Sequence, residues 1–267
     1  DRISQIKDSL NELIAETDEV LMEKFFSGED YTKEEIQKGI KAGIADGTIA
    51  PVFCGSALQN MGVKELMNAI VEYMPSPDGN TNKAVKAGTD ESVEIKADPS
   101  APLSALVFKT IADPFVGKIS MFRVYSGTLK SDSTVYNSTT EKNEKIGQIF
   151  VMRGKKQIPT DKLIAGDIGG VAKLVATNTN DTLCDQNNKV VLDKIVFPEP
   201  ALSMAVEPKA KGDEEKINSG LHKLQDEDPT FKVTLNTETK QTIISGVGEQ
   251  HLDVIVSKLK SKFGVSV

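Results

Sequence analysis

Apolar and polar positions along the chain change rhythm twice. Over residues 3–26, Ile3, Ile6, Leu10, Leu13, Ile14, Leu21 and Phe25 fall on one helical stripe with acids opposite, and Ser27-Gly28 ends it. Thr32 followed by Glu35 makes a capping-box start for a second helix carrying Ile36, Ile40 and Ile44. The run Ile49–Cys54 reads as a short buried strand entering the turn Gly55-Ser56-Ala57. A third helix follows through Val63, Leu66, Met67, Ile70, Val71 and Met74, and Pro75-Ser76-Pro77 terminates it.

Beyond this point the helical period disappears. Residues 79–97 are rich in Asn, Thr, Lys and Asp and predict a polar linker. Residues 98–194 then carry short β-type runs, among them Leu103–Thr110, Lys118–Tyr125, Lys145–Arg153 and Gly170–Val175, which predict a β-barrel or sandwich. Phe197-Pro198-Glu199-Pro200 marks a second boundary. Residues 199–267 read strand, helix, strand, strand, helix, then a strand opening at Val265, the order of a ferredoxin-like βαββαβ domain. The first residue lies inside a helical pattern and the last inside a strand pattern, so the expectation is an excised fragment of a multidomain α/β, β and α+β protein.

Charge sharpens this division. The net charge is −7, yet residues 1–78 hold 7 basic and 15 acidic side chains, so the remainder is close to neutral. Lys142, Lys145, Arg153, Lys155, Lys156 and Lys162 crowd one stretch against Glu144 and Asp161. That stretch reads either as a solvated hairpin or as a patch for an RNA backbone, with Arg153, Lys155 and Lys156 at its turn. No apolar run is long enough to cross a bilayer, no secretory leader is visible, and the expectation is a cytoplasmic protein without a membrane partner. Two cysteines, Cys54 and Cys184, and two histidines leave little for a disulfide framework or a metal site, and no metal ligands are expected.

Catalytic signatures fail on inspection. Gly117-Lys118 and Gly154-Lys155 lack both the Ser/Thr and the upstream glycine of a phosphate-binding loop. Gly246-Val247-Gly248 meets His251 where a dinucleotide fingerprint needs its third glycine, which leaves a strand-to-helix turn. Asp167-Ile168-Gly169-Gly170 matches a switch DxxG formally, but within a β-rich region. His251, between Glu249 and Asp253, reads as a capping and packing residue. No catalytic residue is assigned.

The runs VFCGSALQNMGVKELMNAIVEYMPSP, ADPFVGKISMFRVYSGTLKSDSTVYN, AGDIGGVAKL, PEPALSMAVEPKAKGDEEKINSGLHKLQDEDPTF and TKQTIISGVGEQHLDVIVSKLKSKFGV together resemble the elongation factor G family of ribosomal translocase GTPases, including its paralogues. The resemblance implies that residues 1–78 are the C-terminal part of a P-loop GTPase domain with part of its helical insert. It implies a translation-factor barrel (domain II) at 98–194 and domain III at 199–267. Ser56, Ala57 and Leu58 map onto the guanine-recognition loop, with the Ala57 N–H facing the guanine O6. The full-length parent would use GTP and Mg2+, work on the ribosome and drive translocation of tRNA and mRNA. The P-loop, switches and Asn-Lys-x-Asp motif are absent from these residues, so the stretch alone is expected to bind neither GTP nor Mg2+ and to be inactive. Gln250 stands where the family usually carries Leu, which keeps open a paralogue that remodels, recycles or protects ribosomes, and the stretch alone reads equally as a non-enzymatic ribosome-binding module. Domain III is expected to move about the Val196–Pro200 connector, with Lys258, Lys260 and Lys262 free to meet a partner.

Overall fold

The computed structural model describes residues 2–78, 81–113 and 116–267. Residues 79–80 of the expected linker, and Pro114-Phe115 within one of the resemblance runs, lie outside the described residues. The chain divides into two units, at Ser76/Pro77.

The first unit is helical: α1 (Arg2–Ala15), α2 (Glu19–Ser27), α3 (Lys33–Asp46) and α4 (Val63–Tyr73). The helix expected over residues 3–26 is broken. The Thr17 hydroxyl turns back to the Ile14 carbonyl (2.7 Å), and Asp18 caps α2 by accepting the Val20 N–H at 2.9 Å. A capping Asp competes with helix continuation even where the apolar stripe runs on. The Thr32/Glu35 capping box forms, and Gly28 closes α2 in the left-handed region at φ 75°. α3 approaches its neighbours through glycine: a Cβ at Gly39 would meet Ile14 at 2.6 Å. Ile14 and Leu21 form the buried centre.

Ile49–Cys54 is not a strand. It is an irregular, largely exposed segment, with Val52 89% accessible. A strand needs a hydrogen-bonding neighbour, and among the described residues this unit has none to offer. The stripe of α4 is likewise uncovered, with Leu66, Met67, Ile70, Val71 and Met74 exposed.

The second unit opens with a hairpin. β1 (Thr81–Lys86) and β2 (Ser92–Lys96) pair antiparallel, so the polar stretch expected as a linker is sheet over much of its described length. Its few apolar residues suffice: Ala84 and Ile95 are buried in a cluster with Leu106, Cys184, Val190 and Leu192. The eleven strands that follow are β3 (Ser104–Asp113), β4 (Gly117–Ser126), β5 (Thr128–Lys130), β6 (Thr134–Asn137), β7 (Lys142–Lys145), β8 (Ile149–Arg153), β9 (Lys156–Thr160), β10 (Lys162–Ile164), β11 (Ile168–Ala172), β12 (Thr182–Cys184) and β13 (Val190–Leu192). Eight make one antiparallel sheet in the order β7-β6-β12-β3-β4-β11-β8-β9, β10 pairs β5, and β13 joins the opening hairpin. Their inward residues, including Val107, Phe122, Val124, Ile146, Ile149 and Leu183, form the barrel core.

Residues beyond the connector fold as β14 (Leu202–Val206), α5 (Glu214–Glu227), β15 (Lys232–Leu235), β16 (Thr242–Gly246) and α6 (Glu249–Phe263), with sheet order β14-β16-β15. Both helices lie on one face of this sheet, around Leu221, Leu224, Phe231, Ile244, Ile255 and Leu259. The expected sixth element is not a strand among the described residues. Val265 is nevertheless buried in this core, and the Ser266 carbonyl accepts the Lys209 N–H at 3.1 Å, just past the end of β14.

Candidate functional site

Ser56, Ala57 and Leu58 occupy a loop between the irregular segment and α4. Ser56 and Met61 exchange both backbone hydrogen bonds, each 3.0 Å, and close the loop. Closure needs two glycines: a Cβ on Gly55 would lie 2.7 Å from the Met61 carbonyl oxygen, and one on Gly62 would lie 2.8 Å from that of Cys54. Inside the loop the Ser56 hydroxyl accepts the Gln59 N–H at 3.3 Å, and the Ala57 carbonyl accepts that of Asn60 at 3.3 Å. The Ala57 and Leu58 N–H groups have no partner among the described residues, and both residues are exposed. Two free backbone donors on a rigid, exposed loop can bind a carbonyl oxygen of a planar ligand. No group of three or more His, Cys, Asp or Glu side chains is placed to hold a metal ion among the described residues.

The basic stretch is divided by the structure. Lys142 and Lys145 lie on β7, at one end of the sheet order; Lys162 lies on β10, in the separate pair with β5. Arg153, Lys155 and Lys156 share the β8–β9 turn, where Gly154 at φ 60° is followed by Lys155 at negative φ, a type II′ hairpin. Arg153 and Lys156 are cross-strand partners. All three cations are exposed, and none is ion-paired among the described residues. Like charges directly opposite each other cost about 0.2–1 kcal/mol.

Glu144, counted in the sequence as an acid within this patch, faces inward. It is 5% exposed and accepts the Ala176 N–H (2.6 Å), the Thr177 hydroxyl (2.9 Å) and the Val175 N–H (3.4 Å). Asp181, also buried, accepts from the Asn137 amide at 2.9 Å and from the Asn178 N–H at 2.8 Å. These carboxylates fasten the 175–181 loop to the barrel, leaving the outer patch more positive than its composition suggests. No sequence pattern announced this pairing, since its partners lie more than thirty residues away.

The remaining motifs are structural. Gly169 and Gly170 of the DxxG match lie in β11, where a Cβ at Gly170 would sit 2.8 Å from the Met121 sulfur and from the Phe150 ring. Asp167 accepts the Ile164 N–H at 2.9 Å and makes a turn. His251 sits over Gly246, as capping and packing require: its Nδ1 accepts the Val247 N–H at 3.2 Å, which leaves Nε2 to donate to Asp228 at 3.0 Å. Burial works against ionised Asp228, but hydrogen bonds from Thr230 and His251 outweigh it, and its carboxyl is held below the ordinary range. Lys258 and Lys262 of α6 are not the free pair expected. Glu227 accepts from both, at 3.3 and 2.6 Å, and Lys260 alone of the three stays exposed and unpaired among the described residues.

A barrel followed by a two-helix, sheet-backed domain is what known proteins share with this chain. The family model described as elongation factor G domain 2 matches residues 102–186, and that described as Elongation Factor G, domain III, matches 197–267. The chain belongs to the elongation factor G family. A crystal structure of a Thermus thermophilus protein superposes with a TM-score of 0.78 at 28% identity, covering 99% of this chain and 37% of that one. The chain thus spans little more than a third of the protein it matches. As a family member it is a translation elongation factor-like protein with domains II and III, and no helix among its described residues is long and apolar enough to cross a membrane.

Proposed function

We propose that this chain is the part of a GTP-dependent ribosomal translocase that reads the guanine base through its first unit and docks on ribosomal RNA through its barrel. In this reading the full-length factor is a cytoplasmic GTPase that binds GTP and Mg2+, and the Ala57 and Leu58 amides contribute the base contact. Residues 1–78 are then the end of the GTPase domain, whose remaining elements would cover the exposed α4 stripe. The barrel grips the phosphate backbone of the small subunit, and domain III passes the nucleotide state onward by changing its angle to the barrel.

The observation that carries this reading is the β8–β9 turn, with three exposed, unpaired cations at a hairpin tip inside a domain II barrel. Each phosphate contact releases counterions, so binding falls steeply with salt. Lys155→Glu with Lys156→Glu in the full-length factor should weaken small-subunit binding at low salt and flatten its salt slope by about one unit per lost contact. Unchanged affinity across the titration would reject the patch. Gln250 is exposed in the first turn of α6, so packing does not dictate it and it leaves a ribosome-remodelling paralogue in play. Movement of mRNA by one codon upon GTP addition separates the translocase from that paralogue.

A further inference from the structure

Domain III and the barrel have separate cores. Among the described residues none of the four apolar clusters holds residues of both, and the two meet where α5 lies against β3. The segment joining them, from Asp193 to Ala201, has no regular structure. The Asn180 side chain holds its first part by bonding both the N–H and the carbonyl of Ile195, at 2.9 and 2.8 Å. Val196, Pro198 and Glu199 beyond that anchor are exposed. Two prolines keep this stretch out of helix and sheet.

α5 lies against β3 of the barrel, and at the C-terminal end of that helix stands one largely buried carboxylate. Glu227 ends α5, and its side chain is 13% exposed. Its Oε2 accepts the backbone N–H of Ala112, on β3 of the barrel, at 3.3 Å, and the same oxygen takes Lys262 at 2.6 Å. Its Oε1 takes Lys258 at 3.3 Å. One side chain therefore joins both helices of domain III to a barrel strand. Burial penalises its charge, yet the two lysines and the Ala112 amide overcome that penalty and hold its carboxyl below the ordinary range.

We propose that Glu227 is an interdomain latch: closed, it fixes the angle between domain III and the barrel, and open, it lets domain III turn about the Val196–Pro200 connector. This replaces the free hinge expected from the connector alone with a hinge that is held. The inference does not depend on ribosome or nucleotide binding. Lysines 258 and 262 belong to the latch while it is closed, and the charge that binds them is not one the barrel supplies.

Spin labels at Asn143→Cys and Lys260→Cys, both exposed, on the full chain carrying Cys54→Ser report the interdomain distance; Cys184 is fully buried and escapes labelling. The wild-type chain should give one narrow maximum. Glu227→Ala should replace it with a broad distribution and speed exchange of the Ala112 amide about tenfold, the loss of a charge-assisted hydrogen bond. Glu227→Gln keeps an acceptor for Ala112 but no charge for the lysines, and should fall between the two. Exchange at Leu221 and Ile255 should stay at the wild-type rate, which shows that domain III itself remains folded. A broad distribution in the wild type, or wild-type distance and Ala112 exchange in both variants, would overturn the latch.

Discussion

Glu144→Ala tests how firmly the barrel depends on its inward carboxylate. In the native structure this side chain is 5% exposed and satisfies two close donors, Ala176 N–H at 2.6 Å and Thr177 hydroxyl at 2.9 Å, with a weaker third at Val175. Thr177 accepts the Asn137 amide at 3.1 Å, so its own hydrogen has few other places to go. Truncation leaves one buried and one half-buried donor without an acceptor, at about 1–3 kcal/mol each, and the expected cost is about 3–5 kcal/mol. Glu144→Gln keeps one acceptor oxygen for Ala176, and should cost about 1–2 kcal/mol. Amide exchange of Phe122 and Val124, at the centre of the barrel core, reads this directly. Each 1.4 kcal/mol is about tenfold, so the alanine variant should exchange these amides at least about a hundredfold faster. Amides of Leu221 and Ile255, in the separate core of domain III, serve as the internal control. An alanine variant within about 0.5 kcal/mol of wild type would refute the reasoning, because it would mean that water reaches those donors after all.

The pH dependence of domain III follows from Asp228. Its folded-state pKa lies below the ordinary aspartate value of 3.8, so its stabilisation is fully present above the unfolded value and is lost as pH falls through the lower folded one. Thermal unfolding of domain III between neutral and strongly acidic pH should therefore show a smaller acid loss in Asp228→Asn than in wild type; parallel curves would show that this carboxylate is not the cause. Gly170→Ala should destabilise the barrel by about 1–3 kcal/mol, since the new methyl meets Met121 and Phe150, and chemical denaturation should leave domain III unaffected. An unperturbed barrel would mean that the Phe150 ring moves aside without cost.

Local signals are legible in this sequence and distant ones are not. The capping box at Thr32, the glycine stop at Gly28 and the amphipathic stripes of α5 and α6 each involve residues within a few turns of each other, and each is present in the fold. The 79–97 stretch misleads because polarity is not the same as lack of structure. A hairpin that buries one residue per strand, Ala84 and Ile95, against β13 a hundred residues on, needs no long apolar run. Ile49–Cys54 misleads in the opposite sense: its composition suits a strand, but a strand is a relation between two segments, and among the described residues its partner is missing. The Ser56-Ala57-Leu58 loop is singled out only by resemblance. What makes it rigid, the Ser56–Met61 bridge and the two close glycine contacts, emerges only when the chain is folded.

The lysines of α6 show why charge counted along a sequence differs from charge offered to a partner. Lys258, Lys260 and Lys262 alternate within one short run, and helical geometry sets Lys258 and Lys262 on one face because they are four residues apart. That face is the one that meets Glu227, which reaches it from another helix 31 and 35 residues earlier in the chain. In the β8–β9 turn the opposite happens: Arg153, Lys155 and Lys156 are exposed and unpaired among the described residues, while Glu144, their neighbour by sequence count, points into the barrel. Of the two basic clusters, the helix has Lys258 and Lys262 paired while the latch is closed, and the hairpin has all three cations exposed. A phosphate backbone approaching this protein should therefore find the barrel hairpin first, and should reach the paired lysines of domain III only where it outcompetes a buried carboxylate for them.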